Sequence, residues 1–275
     1  MAARRDPTRG PARLTMDGMI LAAGLGTRLR PLTDETPKAL IRVGGVPMLE
    51  RVARRLIAAG VDRLIVNVHH HADQVIEFIG RRDGFGVETR ISREPARPLE
   101  TGGGLLHARE HFREDGPFLL HNVDVICDAD LGAMVMAHRA AEAGPGSGAV
   151  PGTPVLATLA VQDRAAKRFL RFDDHGLQAR IDQRDGSVDT ARPVHGETRD
   201  RAFAGIHVIS PRIFHLMTED GFFSIIEPYL RLAGEGYRIL PHDVTGALWL
   251  EVGDPDRLER ARRFLRRSNG DEERA

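Results

Sequence analysis

Between residues 19 and 143, short runs of consecutive apolar residues alternate with segments whose apolar positions recur every three or four residues. The first kind, at 19–23, 63–68 and 118–121, reads as buried strands, and the mixed segment 87–92 reads as a further strand. The second kind predicts helices at 48–59, 72–79, 102–112 and 130–143. The first of these has Pro47 at its start and Gly60 just past its end, the positions where a fixed φ and a free φ are each favoured. Such alternation predicts an α/β fold with a mixed, mostly parallel sheet covered on both faces. After a Gly- and Pro-rich connection at 144–153 the pattern changes. Strand-like pieces at 155–162, 167–172, 177–182 and 203–209, with a turn at 174–176, predict antiparallel pairing. Helices at 211–217 and 224–233, strands at 237–240 and 247–252, and a helix at 255–266 complete the pattern. No internal repeat is present. The expectation is one domain over 18–268, in halves 18–143 and 154–268, after a disordered leader (1–17) and before a tail (269–275).

Composition narrows the classes. The chain has 275 residues with 41% hydrophobic and 28% charged positions, ordinary values that exclude wholesale disorder. Lys plus Arg and Asp plus Glu balance at 39 each, which argues against a bulk electrostatic grip on nucleic acid or on an anionic membrane. Cys127 is the sole cysteine, so neither a disulfide framework nor a cysteine zinc site can form, and it reads as a small buried hydrophobe. No apolar run approaches the roughly 20 residues of a membrane span. A cytoplasmic protein with no nucleic-acid or membrane partner is expected. Only Lys38 and Lys167 are lysines, against 37 arginines, so a retained lysine points to a need for a compact ammonium.

The first strand runs into Gly24-Leu25-Gly26-Thr27-Arg28-Leu29-Arg30-Pro31, followed by Pro37-Lys38. Glycines directly after a buried strand let backbone N–H groups approach an anion. A dinucleotide fingerprint needs a third glycine where Leu29 stands, and a Walker A motif needs Gly-Lys-Ser/Thr, so this is a phosphate loop of another kind. Leu99-Glu100-Thr101-Gly102-Gly103-Gly104 opens a helix with glycines that permit close approach by a flat ring or a phosphate. Asp124, in His121-Asn122-Val123-Asp124, follows the fourth strand, where open α/β sheets bind ligands. The run His69-His70-His71 reads as a strand end bordering the nucleotide cleft, because consecutive side chains diverge too far to share one ion.

The string LAAGLGTRLRPLT…PK closely resembles the N-terminal signature of sugar-1-phosphate nucleotidylyltransferases, and LETGGG looks most like the uridylyltransferases acting on N-acetylmuramate 1-phosphate. The resemblance spans roughly residues 19–264. It implies a Rossmann-like three-layer α/β/α nucleotidyltransferase fold with an antiparallel sugar-binding part. It also implies an Mg²⁺-dependent transfer from an NTP, UTP favoured, to a sugar 1-phosphate, amino sugars favoured. Mannose-1-phosphate guanylyltransferase and glucose-1-phosphate nucleotidylyltransferase are the alternatives within the family. Carried over position by position, Ala22, Ala23, Gly24, Gly26, Thr27, Thr101, Gly102 and Gly103 would bind nucleotide, and Arg28 and Lys38 would neutralise phosphate charge in catalysis. Asn122, Gly205 and Glu227 would contact the sugar, and Asp124 and Glu251 would hold the metal. In Trp249-Leu250-Glu251-Val252-Gly253-Asp254, the chain departs from the family's Trp-x-Asp-x-Gly-Thr at Glu251 and Asp254. Glutamate keeps a hard oxygen but lengthens the reach, and this keeps a non-catalytic nucleotide-binding regulator as the alternative class. The family's Glu-Lys-Pro sugar-phosphate motif is absent. Lys167 and Arg168 read as a solvated strand edge, with replacement of that motif the second reading.

Overall fold

A computed structural model describes residues 15–94, 97–144 and 153–272. The first half contributes strands β1 (Asp17–Leu21), β2 (Arg63–Val68), β3 (Glu88–Arg93), β4 (Phe118–Asn122) and β5 (Val125–Cys127). The second half contributes β6 (Val155–Gln162), β7 (Arg168–Asp173), β8 (Gly176–Asp182), β9 (Ser187–Thr190), β10 (Arg199–Ile209), β11 (Arg238–Asp243) and β12 (Trp249–Glu251). The main helices are α1 (Met48–Ala58), α2 (Ala72–Arg81), α3 (Glu100–His107), α4 (Leu131–Ala143), α5 (Ile226–Gly234) and α6 (Pro255–Glu272).

The sheet runs β9-β8-β7-β10-β4-β1-β2-β3, with β6 also on β10 and β11 on β6. Strands β4, β1, β2 and β3 are mutually parallel, and β10 joins them antiparallel, with Ile206 opposite His121. The β7–β9 meander is antiparallel, as the changed pattern after residue 153 predicts. Alternation along β1 builds the layers. Ile20 enters one core cluster with Val52 of α1, Val75 of α2, Met134 of α4 and Leu258 of α6. Its neighbour Met19 enters the opposite cluster with Leu105 of α3 and Tyr229 of α5. The result is helix, sheet, helix. No helix among the described residues is long and apolar enough to cross a membrane.

Several boundaries differ from the sequence reading. Met16 and Asp17, assigned to the leader, are packed. The Met16 N–H donates to Asp62 at 3.0 Å, and the Asp17 carboxylate accepts the Arg113 N–H at 2.7 Å. Residues 1–14 of that leader, and 145–152 of the Gly/Pro connection, lie outside the described residues. Helix α6 extends to Glu272, so residues 269–272 are helix rather than tail. Strand β5 goes unread because it has three residues, and β9 because all four of its positions are exposed and give no alternation.

Of the three buried histidines among the described residues, His121 and His207 lie on strands of the central sheet. His207 on β10 shares a 2.9 Å hydrogen bond with the Tyr229 hydroxyl, and His121 on β4 has Nδ1 2.8 Å from the Asn122 carbonyl oxygen. Burial pushes His207 down to about 3 and His121 down to about 4. Both are depressed from 6.5, so below that pH the unfolded chain binds protons that the folded chain refuses. This contribution to stability is complete above pH 6.5 and is lost as the pH falls towards 4. The slope is about 1.4 kcal/mol per pH unit for each histidine. Urea midpoints at pH 7 and pH 5 should show the loss, and His207→Gln should remove part of it. Equal pH slopes for the variant and the wild-type chain contradict the assignment.

Candidate active site

Strands β1 and β4 end side by side, and the chain leaving each is tied to its neighbour. The Ala22 N–H donates to the Asn67 carbonyl at 3.0 Å, and the Val123 N–H to the Leu21 carbonyl at 3.1 Å. The glycine loop therefore starts at the carboxyl edge of the parallel strands, where ligands of open α/β sheets lie. Gly26 has φ +63°, and a Cβ there would come within 2.8 Å of Thr33 Cγ2. Thr33 Oγ1 in turn donates to the Gly26 carbonyl at 2.8 Å, closing the loop onto the Leu32–Glu35 turn. His70 and His71 prop that turn through contacts with the Thr33 and Asp34 carbonyls, at 3.3 and 3.0 Å. These histidines thus brace the back of the loop rather than border the cleft.

Two cavities flank Asp124. One, of about 510 Å³, is lined by loop residues 22–28 together with Lys38, Thr101 and Asn122. The other, of about 850 Å³, opens along β10 and contains Gly205, Trp249 and Glu251. Arg28, Asn122 and Asp124 line both. At this junction Lys38 Nζ lies 2.5 Å from Asp124 Oδ2, with the side chains only 12% and 22% exposed. Glu251 belongs to β12, which pairs with β5 and puts Glu251 opposite Val125. The Val252 N–H donates to the Asp124 carbonyl at 2.8 Å. Residues 124 and 251, far apart in sequence, are therefore backbone neighbours facing one cavity. Glu251 is 3.9 Å from Arg28 and forms an ion pair with Arg257.

Gly205 stands where the pairing of β10 with β6 shifts register between Phe203 and His207. Its φ is +77°, and a Cβ would meet Asn122 Nδ2 at 2.9 Å. The bulge and the missing side chain open the cavity over Asn122. Beside it, the Arg164 guanidinium stacks 3.5 Å over the Trp249 ring and donates to the Phe203 carbonyl at 3.0 Å. Burial lowers the Arg164 pKa, and the nearby Glu251 carboxylate opposes that shift.

Two expected groups of contacts sit elsewhere. Gly102 and Gly103 are buried against protein rather than open to a ligand. Their N–H groups donate to the Phe223 carbonyl at 3.0 and 3.3 Å, and a Cβ on Gly103 would lie 2.1 Å from the Gly221 carbonyl oxygen. The glycines permit close packing of α3 against the 221–225 segment, and only Glu100, Thr101 and Phe222 from these two segments line the smaller cavity. Glu227 accepts the Ser224 N–H at 3.1 Å at the start of α5 and lines neither cavity described above. Lys167 and Arg168, read as a solvated edge, do line the larger cavity. Sequence reasoning passes over Asn67, Glu94 and Arg164. Asn67 Nδ2 donates to buried Glu94 at 2.9 Å, and both line the smaller cavity. A polar residue inside the apolar run at 63–68 was the available signal. For Arg164 there was none. Cys127 is buried, and burial pushes its thiol up, in keeping with an inert residue.

A glycine loop at the strand edge, an adjoining Lys–Asp pair and a second cavity beyond it make up the candidate site. The sequence profile of the nucleotidyl transferase family matches residues 17–156. The chain belongs to the nucleotidyl transferase family. The N-acetylmuramate alpha-1-phosphate uridylyltransferase of Caulobacter vibrioides is 37% identical over 242 residues, covering 86% of this chain and 91% of the relative. The enzyme of the same name from Neisseria meningitidis is 31% identical, covering 90% and 96%. HddC from Yersinia pseudotuberculosis has the same fold, with a TM-score of 0.68 at 21% identity over 91% of this chain and 99% of that one. In this nucleotidyl transferase the departures at Glu251 and Asp254 have local partners. The longer Glu251 reaches both Arg28 and Arg257, and Asp254 accepts the Arg257 N–H at 2.9 Å in the first turn of α6.

Proposed function

We propose that this protein transfers the nucleotidyl group of an NTP, UTP favoured, to a sugar 1-phosphate, N-acetylmuramate 1-phosphate favoured, releasing pyrophosphate in the cytoplasm. The observation that carries this reading is the junction of the two cavities at Arg28, Asn122 and Asp124. A donor in one and an acceptor in the other would bring their phosphates together there. The preference for UTP and for the muramate acceptor is supported by the two relatives over most of the chain.

An acceptor phosphate oxygen is already anionic at neutral pH, so no base is needed, and catalysis reduces to alignment and charge neutralisation. Backbone N–H groups of the loop at 22–27 cradle the donor phosphates. Arg28, with its side chain exposed between the cavities, and Lys38 stabilise the charge that builds on the departing pyrophosphate. Asn122 and Gly205 shape the floor against which the sugar lies.

Asp124 and Glu251 fit a magnesium ion by their chemistry. They are hard carboxylates on neighbouring backbone segments of one cavity, and among the described residues no group of three or more His, Cys, Asp or Glu side chains is placed to hold a metal ion by itself. Magnesium is usually held by one or two carboxylates, with phosphates and water completing its shell. When bound, it would supply Lewis-acid polarisation of the phosphate oxygens. Until then the Lys38 ammonium compensates Asp124, and Arg28 and Arg257 compensate Glu251.

The test is pyrophosphate release with Mg²⁺ across five NTPs and a panel of sugar 1-phosphates that includes N-acetylmuramate, mannose and glucose. Release confined to UTP with N-acetylmuramate 1-phosphate is expected. Release with GTP and mannose 1-phosphate moves the substrate assignment within the family. Nucleotide binding without release for any pair overturns the transfer reading in favour of a regulator.

A further inference from the structure

We infer that Lys167, Arg168 and Arg184, on the lining of the larger cavity, are the specificity-determining residues that receive a carboxylate on the acceptor sugar. The inference rests on the transfer reading above and adds which residues select the acceptor by its carboxylate.

The larger cavity is cationic well beyond the need of one sugar phosphate. Seven cationic side chains line it against two carboxylates, Asp124 and Glu251. Arg28 lies at the junction, and Arg257 is engaged by Glu251 and Asp254. Lys167, Arg168 and Arg184 line the larger cavity but not the smaller one, so the donor phosphates do not account for them.

The fold gathers these three deliberately. Lys167 immediately precedes β7, and its carbonyl accepts the Gln183 N–H at 2.9 Å, fixing it beside the turn after β8 that carries Arg184. Arg168 faces Asp182 across the β7–β8 ladder. Asp182 is engaged by both Arg168, at 2.9 Å, and Arg184. These two guanidiniums hold the Asp182 carboxyl well below the usual carboxylate range, so it stays ionised. One carboxylate between two guanidiniums still leaves a positive charge. The Lys167 ammonium adds another, with no side-chain partner among the described residues. Neighbouring cations repel one another, and an arriving anion relieves that repulsion. Asp182 also holds two of the forks in place, so less side-chain freedom is lost on binding. A neutral hexose gives these groups nothing to bind. A carboxylate matches them in charge and, for guanidinium, in planar geometry. A lactyl ether on the sugar, as in N-acetylmuramate, is such a group.

The experiment compares kcat/KM for N-acetylmuramate 1-phosphate and for N-acetylglucosamine 1-phosphate, which lacks the lactyl carboxylate. The wild-type chain should prefer the acid by at least about tenfold. Lys167→Gln and Arg184→Gln should each cut that preference several-fold, through KM for the acid, and the double variant should bring it close to one. Arg168 keeps Asp182 paired in all three variants, and comparing two acceptors in the same protein cancels any loss of folded enzyme. Three results overturn the inference alone: no wild-type preference, equal losses on both acceptors, or a rise confined to KM for the NTP. Failure of the wild-type chain to turn over any acceptor removes the transfer reading, and this inference with it.

Discussion

Asp124→Asn is expected to lower kcat/KM by about 10³-fold, equivalent to about 4 kcal/mol of transition-state stabilisation. Asp124 is the one carboxylate that lines both cavities. Its backbone carbonyl, which accepts the Val252 N–H, is untouched by the substitution, so the register of β12 beside it is kept. Asparagine matches the side chain in shape and keeps an oxygen for Lys38. What disappears is the negative charge, and with it the hard anionic oxygen proposed for the metal. Steady-state pyrophosphate release measures the loss, and a urea midpoint close to that of the wild-type chain shows that the fold persists. Activity within threefold of the wild-type value removes Asp124 from the catalytic centre.

Lys38→Met is expected to cost about 10²-fold in kcat/KM, the usual effect of deleting one positioned group that stabilises developing charge. Lys38 is one of two lysines among 39 basic residues, and its ammonium is nearly enclosed at 2.5 Å from Asp124. Lys38→Arg should restore little, because a planar fork does not replace a compact ammonium in that space. Residues that act as a unit show strongly non-additive losses. The Lys38→Met, Asp124→Asn pair should therefore lose far less than the product of the two single losses. A multiplicative loss shows that the pair acts as two independent groups.

The parallel half of the fold was legible because strands such as β1, β2 and β4 are mostly apolar and helices such as α1 and α2 have a clear period. The strand at 63–68 and the helix after Asp130 appear where the pattern puts them. The antiparallel half was legible in outline, through apolar strands such as 155–162, whose eight residues are all buried. Strand β9 was not, because exposed edge positions carry no hydrophobic signal. At the site, the glycine loop, Lys38 and Asp124 were readable because their order along the chain is itself a pattern. Glycine is harder to interpret, since the same absence of Cβ serves a ligand or a packed neighbour. Gly102 and Gly103 serve the neighbour, in the segment 221–225, which lies more than a hundred residues away. Lys167 and Arg168 looked like an edge because only the tertiary fold brings them to Asp182 and Arg184 around one cavity.

The most direct measurement follows the phosphorus. UTP labelled separately at the α- and γ-phosphates is incubated with Mg²⁺ and the acceptor that the substrate panel selects, and the products are resolved. Transfer of the nucleotidyl group predicts α-label in a sugar nucleotide and γ-label in pyrophosphate, in equal amounts. γ-Label on the sugar, or α-label recovered only as free nucleotide with the acceptor unconsumed, contradicts it.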